Sequence, residues 1–141
     1  MKAVERVVTD TNVLVSAILA PRSIPNQWVS WCLQHAELVF TDETEAEFLE
    51  VISRSKFDRF AAAEVRVSAA LAIVGASVRV DVGQMVQACR DARDDKFLDA
   101  TLAGHARLLV TGDRDLLALH PFEGVAIITP AKALMDWSAM T

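Results

Sequence analysis

Apolar residues along this chain fall into two alternating rhythms, short continuous runs and longer stretches at helical spacing. Val4 to Thr9 is a β-branched run that ends at Asp10, and Val13 to Leu19 continues at helical spacing, which predicts a buried strand running into a helix. Pro21 and Pro25 interrupt the pattern. Trp28, Val29, Trp31, Cys32 and Leu33 then return at helical spacing, and Glu37 to Phe40 follows as a short strand. Thr41 or Asp42 can cap the next helix, in which Asp42 and Glu45 have capping-box spacing and Phe48, Leu49 and Ile52 form the apolar stripe. Phe57 to Val74 is again helix-like and rich in Ala, Gly75 stops it, and Ser77 to Val82 is predicted as a strand. Helices are expected at Val86 to Cys89 and at Asp95 to Ala103, the latter closed by Gly104, with a strand from Leu108 to Thr111. Asp113 to Ala118 fits one or two helical turns, and Val125 to Ile128 is the last strand. Pro130 then opens a closing helix that carries Leu134, Met135 and Trp137.

Strands of this kind alternating with helices imply an α/β fold, a mainly parallel sheet with helices on both faces. No internal repeat or low-complexity segment divides the chain, so residues 1–141 are expected to form a single domain. In parallel sheets ligands gather beyond the carboxyl ends of the strands, which is where Asp10 and Asp113 fall.

Composition narrows the class. Hydrophobic residues make up 52% of the chain, with only five Gly and four Pro, enough apolar surface for one core and little material for linkers. Charged residues interrupt every apolar run before it could span a bilayer, and the N-terminus lacks the apolar segment of a secretory signal, so a cytosolic protein with no membrane association is expected. Cys32 and Cys89 are far apart in apolar surroundings, without disulfide or zinc-ligand spacing. A net charge of −5 argues against coating nucleic acid by bulk electrostatics but is compatible with a local basic rim around an acidic pocket.

The acids carry the chemistry. An Asp at the end of a buried strand is costly to desolvate unless something positive meets it, although Asp10 is also a good helix N-cap. Glu43, Glu47 and Glu50 share one side of a helix, and Glu47 lies beside the apolar stripe, where it can point into a strand-end cleft. Asp91, Asp94, Asp95 and Asp99 crowd the start of another helix, more carboxylates than capping requires, and would repel one another without a cation. Asp113 and Asp115 follow a strand through Gly112. All-oxygen ligands select hard cations such as Mg²⁺ or Mn²⁺. His35, His105 and His120 lack zinc-helix spacing, and neither a phosphate-binding Gly-rich loop nor a Ser nucleophile elbow is present.

Four blocks together resemble the PIN-domain family, and within it the VapC-like toxin ribonucleases of bacterial type II toxin–antitoxin pairs. The first runs from Val8 to Ala17 through Asp10-Thr11-Asn12, the second from Thr41 to Phe57 with Glu47 on a helix. The third is Asp94-Asp95-Lys96-Phe97-Leu98-Asp99-Ala100, and the fourth is Val110-Thr111-Gly112-Asp113-Arg114-Asp115-Leu116-Leu117. The resemblance covers almost the whole chain. It implies that Asp10, Glu47, Asp94 and Asp113 form the metal site, with Asn12, Ser16 and Thr111 orienting them and Asp95, Asp99 and Asp115 as further ligands, supporting groups or caps. It also implies a fold of the kind derived above.

The activity expected on this resemblance is hydrolysis of RNA phosphodiester bonds assisted by Mg²⁺ or Mn²⁺. Arg22, Arg54, Lys56, Arg93, Lys96 and Arg114 neighbour the acidic blocks and are the candidates for holding RNA. A homodimer and a small antitoxin that occludes the site are the implied partners, for which the Trp28 and Trp31 segment and the Ala61 to Val74 helix offer apolar surface, although core packing is the favoured use of either stretch. Two rival readings stand beside this one. A silent RNA- or partner-binding scaffold is opposed by four intact acids. An aspartyl-nucleophile phosphatase also places an Asp after its first strand, but needs a second acid where this chain has Asn12.

Overall fold

The structure of the protein is a computed structural model that describes residues 4–83 and 94–139. The helix expected at Val86 to Cys89 lies outside the described residues, as do Asp91 and Arg93. The strands are β1 (Arg6–Thr9), β2 (Glu37–Phe40), β3 (Val78–Arg79), β4 (Leu108–Val110) and β5 (Ala126–Ile128). They form a five-stranded sheet in the order β3-β2-β1-β4-β5, parallel throughout. Parallel neighbours cannot be joined by a hairpin. The crossovers carry the helices α1 (Thr11–Leu19), α2 (Ile24–His35), α3 (Asp42–Ile52), α4 (Ala63–Gly75), α5 (Asp95–Ala103), α6 (Arg114–Leu117) and, after the last strand, α7 (Pro130–Ser138).

Strand residues alternate between two buried clusters, because successive side chains point to opposite faces. Val7, Leu38, Phe40, Leu108, Val110 and Ile128 pack under α1, α2, α3, α4 and α7. Val8, Val39, Leu109 and Ile127 pack on the other face against Phe97, Leu98 and Ala100 of α5 and Leu116 of α6. Both faces are therefore covered, as expected for α/β architecture. Among the described residues, no helix is long and apolar enough to cross a membrane.

Local departures have physical reasons. Thr41, not Asp42, is the N-cap of α3, and its capping box closes with Thr44: Thr41 Oγ1 accepts from Thr44 N at 3.1 Å and Thr44 Oγ1 from Thr41 N at 2.9 Å. The single helix expected from Phe57 to Val74 is a short 3-10 turn at Ser55–Phe57, a connector, and then α4. Buried Arg66 shapes that connector. Its guanidinium donates to the carbonyls of Ile52, Arg54 and Ala61 and to Asp58. The strand expected from Ser77 to Val82 pairs with β2 only at Val78 and Arg79. In α7 it is Ala133 that is buried, whereas Met135 is 73% exposed.

Gly104 ends α5 as expected, but not by adopting a left-handed conformation. His105 takes that role, at φ 52°, while the Ala106 and His105 N–H groups close the helix on the carbonyls of Thr101 and Leu102. Gly104 serves close approach instead, since a Cβ there would lie 2.7 Å from Val39 Cγ1.

Candidate functional site

Two strand ends and one helix bring Asp10, Asp113 and Glu47 near one another at one edge of the sheet. Thr9 lies beside Val110 in the β1–β4 register, so the next residue of β1, Asp10, and the next residue of β4, Thr111, are neighbours. Thr111 Oγ1 donates to Asp10 Oδ2 at 2.7 Å and accepts from the Asp113 backbone N–H at 3.0 Å. One buried threonine thus ties the first acid to the turn that carries the last. The β1–β4 boundary is also where the strand order reverses direction, the crevice in which open α/β sheets bind ligands. Trp28 Nε1 anchors the end of β1 from α2 by donating to Thr9 Oγ1 at 3.2 Å.

Glu47 reaches the same edge from α3, which packs against α1 and α5. Its Oε1 accepts from Thr11 Oγ1 at 2.5 Å and its Oε2 from Lys96 Nζ at 2.6 Å. Asp113 caps α6, accepting from Leu116 N at 2.9 Å. A cleft of about 440 Å³ opens beside Asp10 and Asp113, which line it with Asn12, Ser16 and Gly112, and Pro25 and Pro130 are among its walls.

Asp10 is 6% exposed, and burial pushes its carboxyl above the ordinary aspartate range. The hydrogen bonds from Thr111 and the Asn12 backbone N–H oppose that rise, while the charges of Glu47 and Asp113 add to it. Asp10, Glu47 and Asp113 therefore lie close enough to feel one another. Asp94 stands half-buried at the N-cap of α5, whereas Asp95 and Asp99, one turn apart, are buried at 8% and 3%. Asp115 is half-buried on α6.

Among the described residues, no three His, Cys, Asp or Glu side chains stand together in metal-ligating geometry. Glu47 is held by Thr11 and Lys96, and Asp113 accepts from the backbone of its own helix. The chemistry of the donors nonetheless suits a hard cation: carboxylate oxygens from separate elements, one of them desolvated beside like charges.

The basic residues divide by place. Arg22, Arg54, Lys56 and Arg114 are exposed, with Arg54 paired to Glu50 on α3, and Lys96 is buried among the acids. Its side chain points inward although it follows two Asp in a row, a placement that no linear spacing signals. Trp28 belongs to the core, while α4 leaves Val65 exposed at a cleft of about 390 Å³ against α1 and α2.

The family model described as "PIN domain" matches residues 6–115. An uncharacterised protein of Methanocaldococcus jannaschii is 28% identical over 116 residues, which are 81% of this chain and 74% of that protein. In three dimensions the chain is similar to VapBC2 from Rickettsia felis, as seen in a crystal structure bound to a DNA fragment from their promoter. The TM-score is 0.58 at 11% identity, over 86% of this chain and 96% of the other. At so low an identity the likeness speaks for the fold.

Proposed function

The chain belongs to the PIN-domain family, whose model spans residues 6–115, and from that premise we propose that it is a metal-dependent endoribonuclease, the toxin of a toxin–antitoxin pair. The observation that carries the reading is Asp10: a desolvated carboxylate at the strand-order reversal, tied through Thr111 to the Asp113 turn and open to the cleft they share. Burying a charge there is costly in the absence of a cation, so its use is to hold one.

On this reading Asp10, Glu47, Asp94 and Asp113 hold Mg²⁺ or Mn²⁺, and Asp95 and Asp99 support the α5 side of the site. When bound, the ion supplies charge neutralisation at a phosphate and lowers the cost of ionising a water. The chain's own residues do the rest. Thr111 fixes the Asp10 carboxylate by its 2.7 Å hydrogen bond, Thr11 fixes Glu47, and Asn12 and Ser16 offer polar groups along the cleft. Exposed Arg22, Arg54, Lys56 and Arg114 supply phosphate contacts at the rim. The toxin assignment draws support from the likeness to VapBC2, and the apolar cleft between α4 and α1–α2 gives a small antitoxin, or a second copy of the chain, surface to cover.

Purified wild-type protein is expected to cleave RNA with Mn²⁺ and to stop when the metal is chelated. D10N and D94N should each lose about a hundredfold or more of that rate while keeping the wild-type circular dichroism spectrum. Undiminished cleavage by either variant rejects the assigned site, and D95N in parallel tells which acid of the α5 pair matters more. The product of a small adjoining reading frame, added to the assay, should silence cleavage if the chain is the toxin of a pair.

A further inference from the structure

Lys96 is the second residue of α5, a first-turn position where the helix dipole disfavours a cation. It is nevertheless 8% exposed, with Nζ 2.6 Å from Glu47 Oε2 and 5.5 Å from the centre of the Phe97 ring. A buried ammonium is held at such a place by an anion. Glu47 is one such anion, on a different helix and 49 residues away in the chain. Other lysine and arginine pairs, such as Lys132 with Asp136 and Arg54 with Glu50, are exposed on both sides. The Lys96–Glu47 pair instead sits inside the acidic site.

We propose that Lys96 is a built-in cation that occupies Glu47 in the metal-free protein and competes with a divalent ion for that carboxylate. The inference rests on the metal-nuclease reading of the same site. Both oxygens of Glu47 are engaged, one by Thr11 and the other by Lys96. A dication sharing Oε2 would face the ammonium across one oxygen, a repulsion that grows as water leaves the site. Metal binding at Glu47 therefore breaks the pair. Lys96 also orders the Glu47 side chain, which helps a metal by the entropy of one rotamer. The charge repulsion is the larger effect, so removing the lysine tightens metal binding.

The test counts free Mn²⁺ by electron paramagnetic resonance during titration of the wild type, K96M, K96Q and D10N. Both Lys96 variants should bind Mn²⁺ about tenfold more tightly than the wild type, the lower end of what a hydrogen bond between charged groups is worth. Mn²⁺ bound by the wild type, lost in D10N and no tighter in K96M or K96Q overturns the competition and leaves the metal site standing. No Mn²⁺ bound by any of the proteins overturns the metal reading itself and this inference with it. Should both lysine variants fail to fold, acetylation of the wild type followed by mass spectrometry puts the same question. Lys96 labelling should rise when Mn²⁺ is added, relative to exposed Lys132, because the amine is released from Glu47. Unchanged or lower labelling overturns the proposal.

Discussion

Asp10 shows how a residue that builds a site can work against the fold. Its carboxyl is raised by burial first and by the Glu47 and Asp113 charges in addition, so the folded chain holds the Asp10 proton more tightly than the unfolded chain does. For an acid shifted in that direction, stability is fully present below the ordinary aspartate range and is lost as pH rises through the folded value. At neutral pH in a chelator Asp10 is a net burden, and D10N, whose amide oxygen still accepts from Thr111, should melt about 3 °C above the wild type, the effect of about 1 kcal/mol in a domain of this size. The gain should vanish in acid, where Asp10 is protonated. A D10N melting curve equal to the wild type at neutral pH, or a gain that persists in acid, would contradict the burial account. Asp10 and Asp113 were legible as strand-end acids because a continuous β-branched or apolar run stops just before each junction. The role of Lys96 was not, since its partner is distant in the chain and Lys in an acidic string normally means a solvated charge.

At the scale of elements, β2 and α5 follow their predicted bounds because each has clear edges: a short apolar run before Thr41, and paired Asp before a stripe that ends at Gly104. The connector after α3 departs from its predicted helix for the opposite reason. No Pro or Gly marks it, and Phe57 and Phe60 continue a helical-looking rhythm. What bends the chain there is Arg66, fully buried and donating to carbonyls on both sides of the turn, and a hydropathy pattern assigns such a residue to the surface. Asp58, the charge it meets, is itself 60% exposed, so the carbonyl bonds matter more than the ion pair. R66M should lower the free energy of unfolding by about 3 kcal/mol, because it strands the buried Ile52 carbonyl and the part-buried carbonyls of Arg54 and Ala61 at once. R66K should recover less than half of that, since an ammonium cannot reproduce the planar fork. Urea denaturation of the three proteins decides it, and a loss under about 1 kcal/mol for R66M would mean that water replaces the guanidinium without penalty.

The whole molecule depends on a feature that no segment carries alone, the order β3-β2-β1-β4-β5. Placing β1 between β2 and β4 sets Asp10 at the reversal and lets α3 deliver Glu47 close enough for its charge to act on Asp10, with Lys96 of α5 meeting Glu47 there. Alternation of strands and helices predicted the layers but not this order, because strand neighbours are chosen by long-range packing. The consequence is an uneven charge distribution on a chain of net charge −5, with Asp10, Glu47 and Asp113 near one another at one sheet edge. Monovalent salt should relieve the general self-repulsion modestly and alike in all variants. A divalent ion that binds the folded site alone stabilises by mass action, about 2.7 kcal/mol at a hundredfold excess over Kd. Melting temperature should therefore climb steadily with added Mn²⁺ in the wild type, beyond the effect of NaCl at matched ionic strength. In D10N, which starts higher in chelator, it should stay nearly flat, so the two melting curves cross as metal is added. Parallel curves would mean that Mn²⁺ acts only as a screening salt, and that the sheet edge gathers acids without binding through them.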